Sequence, residues 1–83
     1  MLPMQDAYVL KSLKDGKYYY GSGKDAQTRL KAHNAGKVRS TKARKPFVLI
    51  HAEHYETRTQ ALRRERFFKS IDGYIWLKQK GII

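Results

Sequence analysis

A single carboxylate, that of Glu65, lies in a helical segment on the side where only apolar residues are expected. The segment covers residues 61–68, and successive side chains turn by about 100° around a helix. On that basis three apolar residues flank Glu65 on one face: Ala61, Leu62 and Phe68. A carboxylate in an apolar surface is costly unless a cation or hydrogen bonds compensate it. Structural ion pairs and metal-binding or catalytic glutamates both produce this pattern, so the helix alone leaves both roles open.

An earlier helix carries the same anomaly. The sequence predicts this helix over residues 25–33, with Ala26 and Leu30 on its inner face. Arg29 and His33 project beside these two residues, at positions three and seven after Ala26. Polar groups therefore face the sheet from two helices. The simplest structural explanation is that the inward arginine and the inward glutamate neutralise one another.

Two strands, residues 7–12 and 17–21, are predicted to form a hairpin around an Asp-Gly turn. With a two-residue loop, Ser12 pairs with Tyr19. Tyr8 then shares a face of the sheet with Tyr19, because side chains alternate along a strand. Two tyrosine side chains are thus expected on one surface of the hairpin.

The second half of the chain is predicted to contain one strand and two helices. Residues 47–55 begin with an apolar run and are interpreted as a central strand. Thr57 and Gln60 have the spacing of a capping box, which opens the helix that carries Glu65. A break at residues 70–73 precedes a short last helix over residues 74–80. Three apolar side chains of this C-terminal region are expected to dock on the sheet: Ile75, Trp76 and Ile82.

Length and composition limit the chain to one small domain. Its 83 residues form a single α/β domain, residues 1–83, with the element order β-β-α-β-α-α. The absence of cysteine excludes disulfides and thiolate metal sites, and three scattered histidines do not form a convincing zinc site. No apolar run reaches the length of a membrane span, and no signal peptide is visible. We therefore expect a cytoplasmic protein without a membrane partner.

The charge indicates a polyanionic partner. Eighteen Lys and Arg residues against seven Asp and Glu residues give a net charge of +11. Nucleic acid is the partner that such an imbalance favours over an anionic membrane surface, since no lysine-rich amphipathic helix is apparent. A basic surface that serves only solubility is the other alternative. The residues predicted to contact phosphates are Lys24 and five members of a basic loop: Lys37, Arg39, Lys42, Arg44 and Lys45.

Taken together, these residues resemble the GIY-YIG nuclease family. Asp6-Ala7-Tyr8 and Tyr19-Tyr20-Gly21 occupy the places of its two name-giving motifs, and Arg29 follows Tyr19 by ten residues. His33 lies one helical turn after Arg29, and residues 61–65 match the stretch that carries the family's glutamate. The chain is most similar to small stand-alone bacterial members. It also resembles the catalytic domain of homing endonucleases and of the bacterial excision-repair nuclease subunit.

The resemblance implies both a fold and a reaction. The fold is GIY-YIG-like: a small, three-stranded, mainly antiparallel sheet flanked by helices. The reaction is Mg²⁺-dependent (or Mn²⁺-dependent) hydrolysis of DNA, with Glu65 as the metal ligand and Arg29 on the scissile phosphate. Tyr8 or Tyr19 accepts a proton from the attacking water, and His33 relays a proton or binds phosphate. A tyrosine in this role needs its pKa lowered from about 10, either by the arginine or by the metal.

Departures from the family pattern keep a second function open. Asp6-Ala7 replaces the Gly-Ile of the first motif, and Tyr20 replaces the Ile of the second. An asparagine that many members carry late in the domain has no clear counterpart after Glu65. The alternative is therefore a non-catalytic or weakly catalytic DNA- or RNA-binding module of the same fold. We expect either protein to be a monomer or a weak homodimer.

Overall fold

Three strands and three α-helices follow one another in the predicted order, which confirms the α/β class. The computed structural model describes residues 4–83, and residues 1–3, which the sequence assigns to the same domain, lie outside the described residues. A 3₁₀ turn, Lys42–Arg44, interrupts the basic loop. The elements are β1 (Gln5–Ser12), β2 (Tyr18–Gly23), α1 (Ala26–Asn34), β3 (Phe47–Tyr55), α2 (Arg58–Phe68) and α3 (Ile71–Gln79).

The sheet is antiparallel, and its strand order is β2-β1-β3. The prediction that residues 47–55 form the central strand is therefore wrong, because β1 holds that position. Both faces of β1 are covered, and residues 6–10 are all buried. The apolar residues at the start of β3 suggested a strand buried on both sides. In the structure Val48 is exposed, and the other apolar residues of 47–50 divide between the two faces of an edge strand.

The β1–β2 hairpin has a longer turn than predicted. Tyr19 lies opposite Leu10 rather than opposite Ser12, and the Ser12 amide donates to the Lys17 carbonyl at 2.8 Å. Four residues therefore form the turn. The register differs from the prediction by two residues, and a shift of two preserves the alternation of side chains. Tyr8 and Tyr19 consequently share a face, as predicted.

The helices cover opposite faces of the sheet. Helix α1 packs on one face, and α2 and α3 pack on the other. The side chains buried on the α1 face are Tyr8, Leu10, Ala26 and Phe47; those on the α2–α3 face are Ala7, Val9, Phe68 and Leu77. Burial of these apolar groups is the main source of stability for a chain of this size.

Helix α2 begins as predicted, whereas α3 begins earlier. The reciprocal capping box between Thr57 and Gln60 is present. The predicted break between the two helices is present but shorter than residues 70–73, because α2 ends at Phe68 and Ser70 already caps α3, which includes Gly73. A Cβ atom at Gly73 would lie 1.8 Å from the Phe67 carbonyl oxygen. This glycine therefore permits two helices to approach closely; it does not end one of them.

Helix α3 and the sheet both hold α2 in place through Arg64. The Arg64 guanidinium donates to Glu53 on β3 at 2.8 Å and lies 4.5 Å from the centre of the Trp76 ring. Trp76 and Ile82 pack on the sheet as predicted, but Ile75 is 46% exposed and does not. The contacts of Arg64 fix the rotation of α2 and so the direction of its neighbour Glu65. Within residues 4–83, no helix has the length and apolar character needed to cross a membrane.

Candidate active site

The predicted site residues approach one another at β2, an edge strand of the sheet. Arg29 comes from α1 on one face, and Glu65 comes from α2 on the other. The Ser22 hydroxyl donates to Glu65 Oε1 at 2.6 Å, and the Arg29 side chain runs beside Gly23. Ser22, Gly23 and Arg29 line one open cleft of about 440 Å³. Two helices on opposite faces thus deliver a cation and a carboxylate to adjacent positions of one strand.

Gly21 lets the Tyr8 ring lie against β2. Tyr8 pairs with Gly21 across the two strands. A Cβ atom at position 21 would lie 2.5 Å from both the Tyr8 hydroxyl and the ring carbon that bears it. Any side chain there would overlap the tyrosine, since real Cβ contacts do not approach this closely. The glycine of the second motif is therefore required by the tyrosine of the first.

We predict that Gly21→Ala destabilises the fold by about 1–3 kcal/mol, the usual cost of overpacking a core. The cause is displacement of the Tyr8 phenol, so the cost should largely disappear in a Tyr8→Leu background. A double-mutant cycle by urea denaturation measures this coupling. An equal cost in both backgrounds would show that the overlap with Tyr8 is not the reason for the glycine.

Arg29 is a cation with an unused donor. Its Nε atom is buried and has no hydrogen-bond partner within residues 4–83. A buried donor without a partner costs about 1–3 kcal/mol, which a bound anion would recover. The Tyr8 hydroxyl lies close enough to Arg29 to raise the pKa of the guanidinium. The arrangement suits a tetrahedral oxyanion such as a phosphodiester, because the planar guanidinium can donate several hydrogen bonds to it.

His33 is fully buried between Tyr8 and Thr41. Its Nδ1 atom is 2.7 Å from the Thr41 hydroxyl, and its Nε2 atom is 3.4 Å from the Tyr8 hydroxyl. The Thr41 hydroxyl also lies 3.4 Å from the Val38 carbonyl, and when it points there its oxygen can accept from His33 Nδ1–H. This assignment leaves a lone pair on Nε2 facing Tyr8. A ring without solvent exposure cannot contact a phosphate, which leaves proton relay as the role open to His33.

The pKa values of this buried group depart from their usual range. Burial raises the pKa of Tyr8 above its ordinary value, and the nearby Arg29 offsets only part of that rise. Of the two groups expected to lower the tyrosine pKa, Arg29 does so, but by less than burial raises it, and Tyr8 is a neutral phenol at pH 7. Burial, together with the positive charge of Arg29, lowers the pKa of His33 below 6.5. His33 is thus a neutral imidazole that can accept a proton.

Tyr19 lies next to His33 but, unlike Tyr8, forms no hydrogen bond with it within residues 4–83. The two rings are 4.8 Å apart, and Tyr19 is half-buried on the same face as Tyr8. The hydrogen-bond contact to His33 comes from Tyr8, whose pKa also responds to Arg29 and to Glu65. Tyr8 therefore has the better contacts for passing a proton onward, whereas Tyr19 is the more accessible of the two rings, because Tyr8 is only 1% exposed.

Glu65 can provide one carboxylate to a metal ion. Its side chain is 15% exposed, and Lys69 donates to its second oxygen, Oε2, at 2.7 Å. No cluster of three or more His, Asp or Glu side chains forms a metal site within residues 4–83. A single carboxylate beside an arginine-lined cleft fits Mg²⁺, which binds oxygen ligands and commonly takes most of them from water and phosphate.

The basic loop presents most of its predicted cations to solvent, with one exception. Arg44 is half-buried and pairs with Asp15 in the hairpin turn at 2.8 Å, so it ties the loop to the domain. Lys24 is exposed and lines the cleft beside Arg29. The exposed cations of the loop are Lys37, Arg39, Lys42 and Lys45.

Sequence reasoning missed residues that hold the site together. Ser22 orients Glu65, and Thr41 orients His33 from within the basic loop. Asp6 is buried and accepts from the Ala26 amide at 2.8 Å, which anchors the start of α1. Ser22 adjoins the second motif and Asp6 lies in the first, so proximity to the motifs was a usable signal for these two. Nothing in the sequence pattern pointed to Thr41.

Comparisons with known proteins agree in fold and sequence. Residues 7–72 match the family model described as the GIY-YIG catalytic domain. A UPF0213 protein of Bacillus velezensis is 45% identical over 65 residues, which cover 77% of this chain and 65% of that relative. A UPF0213 protein of Staphylococcus aureus is 41% identical over 64 residues, covering 76% of this chain and 77% of the relative.

One solved structure is similar over most of the chain. It is the solution NMR structure of a UPF0213 protein from Bacillus halodurans, which is 30% identical. The similarity covers 92% of this chain and 83% of the other, with a TM-score of 0.53. The overall fold is therefore similar to an experimentally determined one.

Proposed function

The chain belongs to the GIY-YIG family, and we propose that it is a Mg²⁺-dependent DNA endonuclease that hydrolyses phosphodiester bonds. The proposal rests on the contacts that the Arg29 and Glu65 side chains make. They reach the same strand, yet Glu65 pairs with Lys69, and Arg29 Nε has no partner in the described part of the chain. Mutual neutralisation is thus not the reason for these two inward charges.

Proton transfer from the attacking water would proceed through two residues. Tyr8 accepts the water proton at its oxygen while its own proton passes to His33 Nε2, whose lone pair faces it. A tyrosine with a raised pKa does not need to exist as a free phenolate in this scheme. With its own proton on Nδ1, directed at Thr41, His33 would be in the tautomer that accepts the proton at Nε2. Such general base catalysis typically contributes about 10²–10⁴ to a rate.

Arg29 would stabilise the charge that develops on the phosphoryl oxygens. Its stem packs beside Gly23 and its guanidinium is held near Tyr8, so little reorganisation is needed during the reaction. Glu65, oriented by Ser22, would hold the Mg²⁺ ion, which when bound supplies positive charge to the phosphate and the leaving oxygen. Glu65 contacts Ser22 and Arg29 packs beside Gly23, which are adjacent residues of β2, and on this basis both groups would act on one phosphodiester.

A binding module without turnover is the competing function. The net charge of +11 would serve it equally well. The buried relay of Tyr8, His33 and Thr41 favours the enzyme, because a phosphate-binding surface does not need a fixed imidazole tautomer. Incubation of labelled single-stranded, duplex and branched DNA with Mg²⁺ or EDTA separates the two. We expect DNA to be the partner and the cytoplasm to be the location of the enzyme.

We predict that DNA binding depends strongly on salt through the exposed cations of the basic loop. Three or four phosphate contacts give a slope of log K against log salt of about −3. Changing Lys42 and Lys45 to Gln should reduce the magnitude of the slope by up to about 2, since each contact contributes about 0.9. Lys78 in the last turn of α3 and Lys80, its C-cap residue, provide the matched control. An unchanged slope in the loop variant would show that DNA binds elsewhere.

We predict an acid limb in the pH profile that belongs to His33. The lowered pKa keeps the imidazole neutral at pH 7, so single-turnover cleavage should persist below pH 6.5 and fall when the ring finally takes a proton. His33→Gln cannot titrate; it should cleave more slowly and lose this limb. Rates between pH 5 and pH 9 test the assignment. The same limb in both proteins would remove His33 from the proton path.

A further inference from the structure

A second arginine, Arg58, lines the cleft that contains Arg29. It is the first residue of α2 and is exposed, and its guanidinium joins none of the ion pairs formed within residues 4–83. Seven residues line the cleft, and none of them is acidic. Three are cations, namely Lys24, Arg29 and Arg58.

The position of Arg58 is unfavourable for stability. A cation in the first turn of a helix opposes the helix dipole, and α2 has no acidic residue there to compensate. The same charge becomes favourable if an anion occupies the cleft. An anion in the cleft would interact favourably with three groups: the helix dipole, Arg58 and the buried Nε of Arg29.

Arg58 and Glu65 lie at different ends of this region. They are seven residues apart, two turns along one face of α2, and a rise of 1.5 Å per residue separates their backbones by about 10 Å. Ser22, which holds Glu65, also lines the cleft and marks the end near the metal ligand. Glu65 itself does not line the cleft, so an anion held by Arg58 is two helical turns away from an ion held by Glu65.

We propose that Arg58 binds a second phosphate of the substrate strand, next to the phosphodiester that is cleaved. The inference rests on the proposed function and specifies its substrate class. The preferred substrate is a polynucleotide strand with at least one further phosphate on the Arg58 side. A mononucleotide ester or a dinucleotide lacks this second anion and binds as poorly to the wild type as to an Arg58 variant.

Short oligothymidylates with one, two and three phosphodiesters test the assignment. Binding is measured in EDTA by NMR titration of the full chain, so that cleavage does not affect the result. An oligonucleotide with three equivalent phosphates can bind in three positions, so its affinity is threefold higher on statistical grounds alone. For the wild type, we expect a gain of about tenfold beyond this factor between one and three phosphates, the size of one charge-assisted contact. Arg58→Gln should show only the statistical gain.

Arg63→Gln is the matched control, because Arg63 is exposed on the same helix and does not line the cleft. It should retain the full gain of the wild type. An Arg58→Gln variant that also keeps the full gain would overturn the assignment, as would a wild type that gains only threefold. A wild type that binds none of the oligonucleotides would instead contradict the proposed function itself.

Discussion

Glu65→Gln is expected to abolish Mg²⁺-dependent cleavage while DNA binding stays equal or becomes tighter. The substitution removes the carboxylate proposed to hold the metal and a negative charge beside the phosphate. Glutamine can still accept the hydrogen bond of Ser22, so the free energy of unfolding should change by less than about 1 kcal/mol. Single-turnover cleavage, fluorescence anisotropy and thermal melting of the same preparation measure the three quantities.

Glu56→Gln provides the matched control, because it makes the same chemical change at an exposed glutamate away from the cleft. It should cleave like the wild type. If Glu65 instead had a purely structural role, loss of its ion pair with Lys69 would lower the melting temperature without a specific effect on the metal-dependent reaction. A large loss of stability with unchanged cleavage would contradict the assignment of Glu65.

Arg29→Ala is expected to slow cleavage by about 100-fold or more, since removal of one charge-stabilising donor typically costs about 3 kcal/mol in the transition state. Affinity for DNA should fall as well. Stability should change little, because the variant loses packing of the arginine stem but also removes a buried Nε without a partner. Stopped-assay kinetics at saturating DNA, together with thermal melts, separate these effects.

Arg29→Lys extends this test. A lysine keeps the charge but not the planar set of donors, so it should restore binding more fully than the rate. Arg66→Ala, at an exposed arginine of α2, is the control for loss of one positive charge. Recovery of the full rate in Arg29→Lys would show that charge alone, and not the geometry of the guanidinium, is needed.

The sequence was sufficient to predict elements whose signals are local. The capping box of Thr57 and Gln60, the inner face of α1 and the alternation that places Tyr8 beside Tyr19 depend only on nearby residues. The predicted register of the hairpin was wrong by two residues. Because two is an even number, Tyr8 and Tyr19 still lie on the same face of the sheet. These features could therefore be predicted without knowledge of any tertiary contact.

Features that depend on distant contacts were predicted incorrectly or not at all. The central place of β1 follows from helices covering both of its faces, which a single strand cannot reveal. Gly73 lies within a helix because α3 approaches the Phe67 carbonyl. The net pKa of Tyr8 reflects how deeply the ring is buried. Each of these is a property of the assembled fold.

Cleavage of end-labelled DNA by the wild type under single-turnover conditions is the most direct measurement of the proposed activity. The DNA is supplied as single-stranded, duplex and branched forms at low salt, with Mg²⁺ in one series and EDTA in the other. We predict discrete internal cleavage products of at least one form with Mg²⁺ and none with EDTA. Stable DNA binding without cleavage of any form in Mg²⁺, or cleavage that is equal in EDTA, would contradict the proposal of a metal-dependent endonuclease.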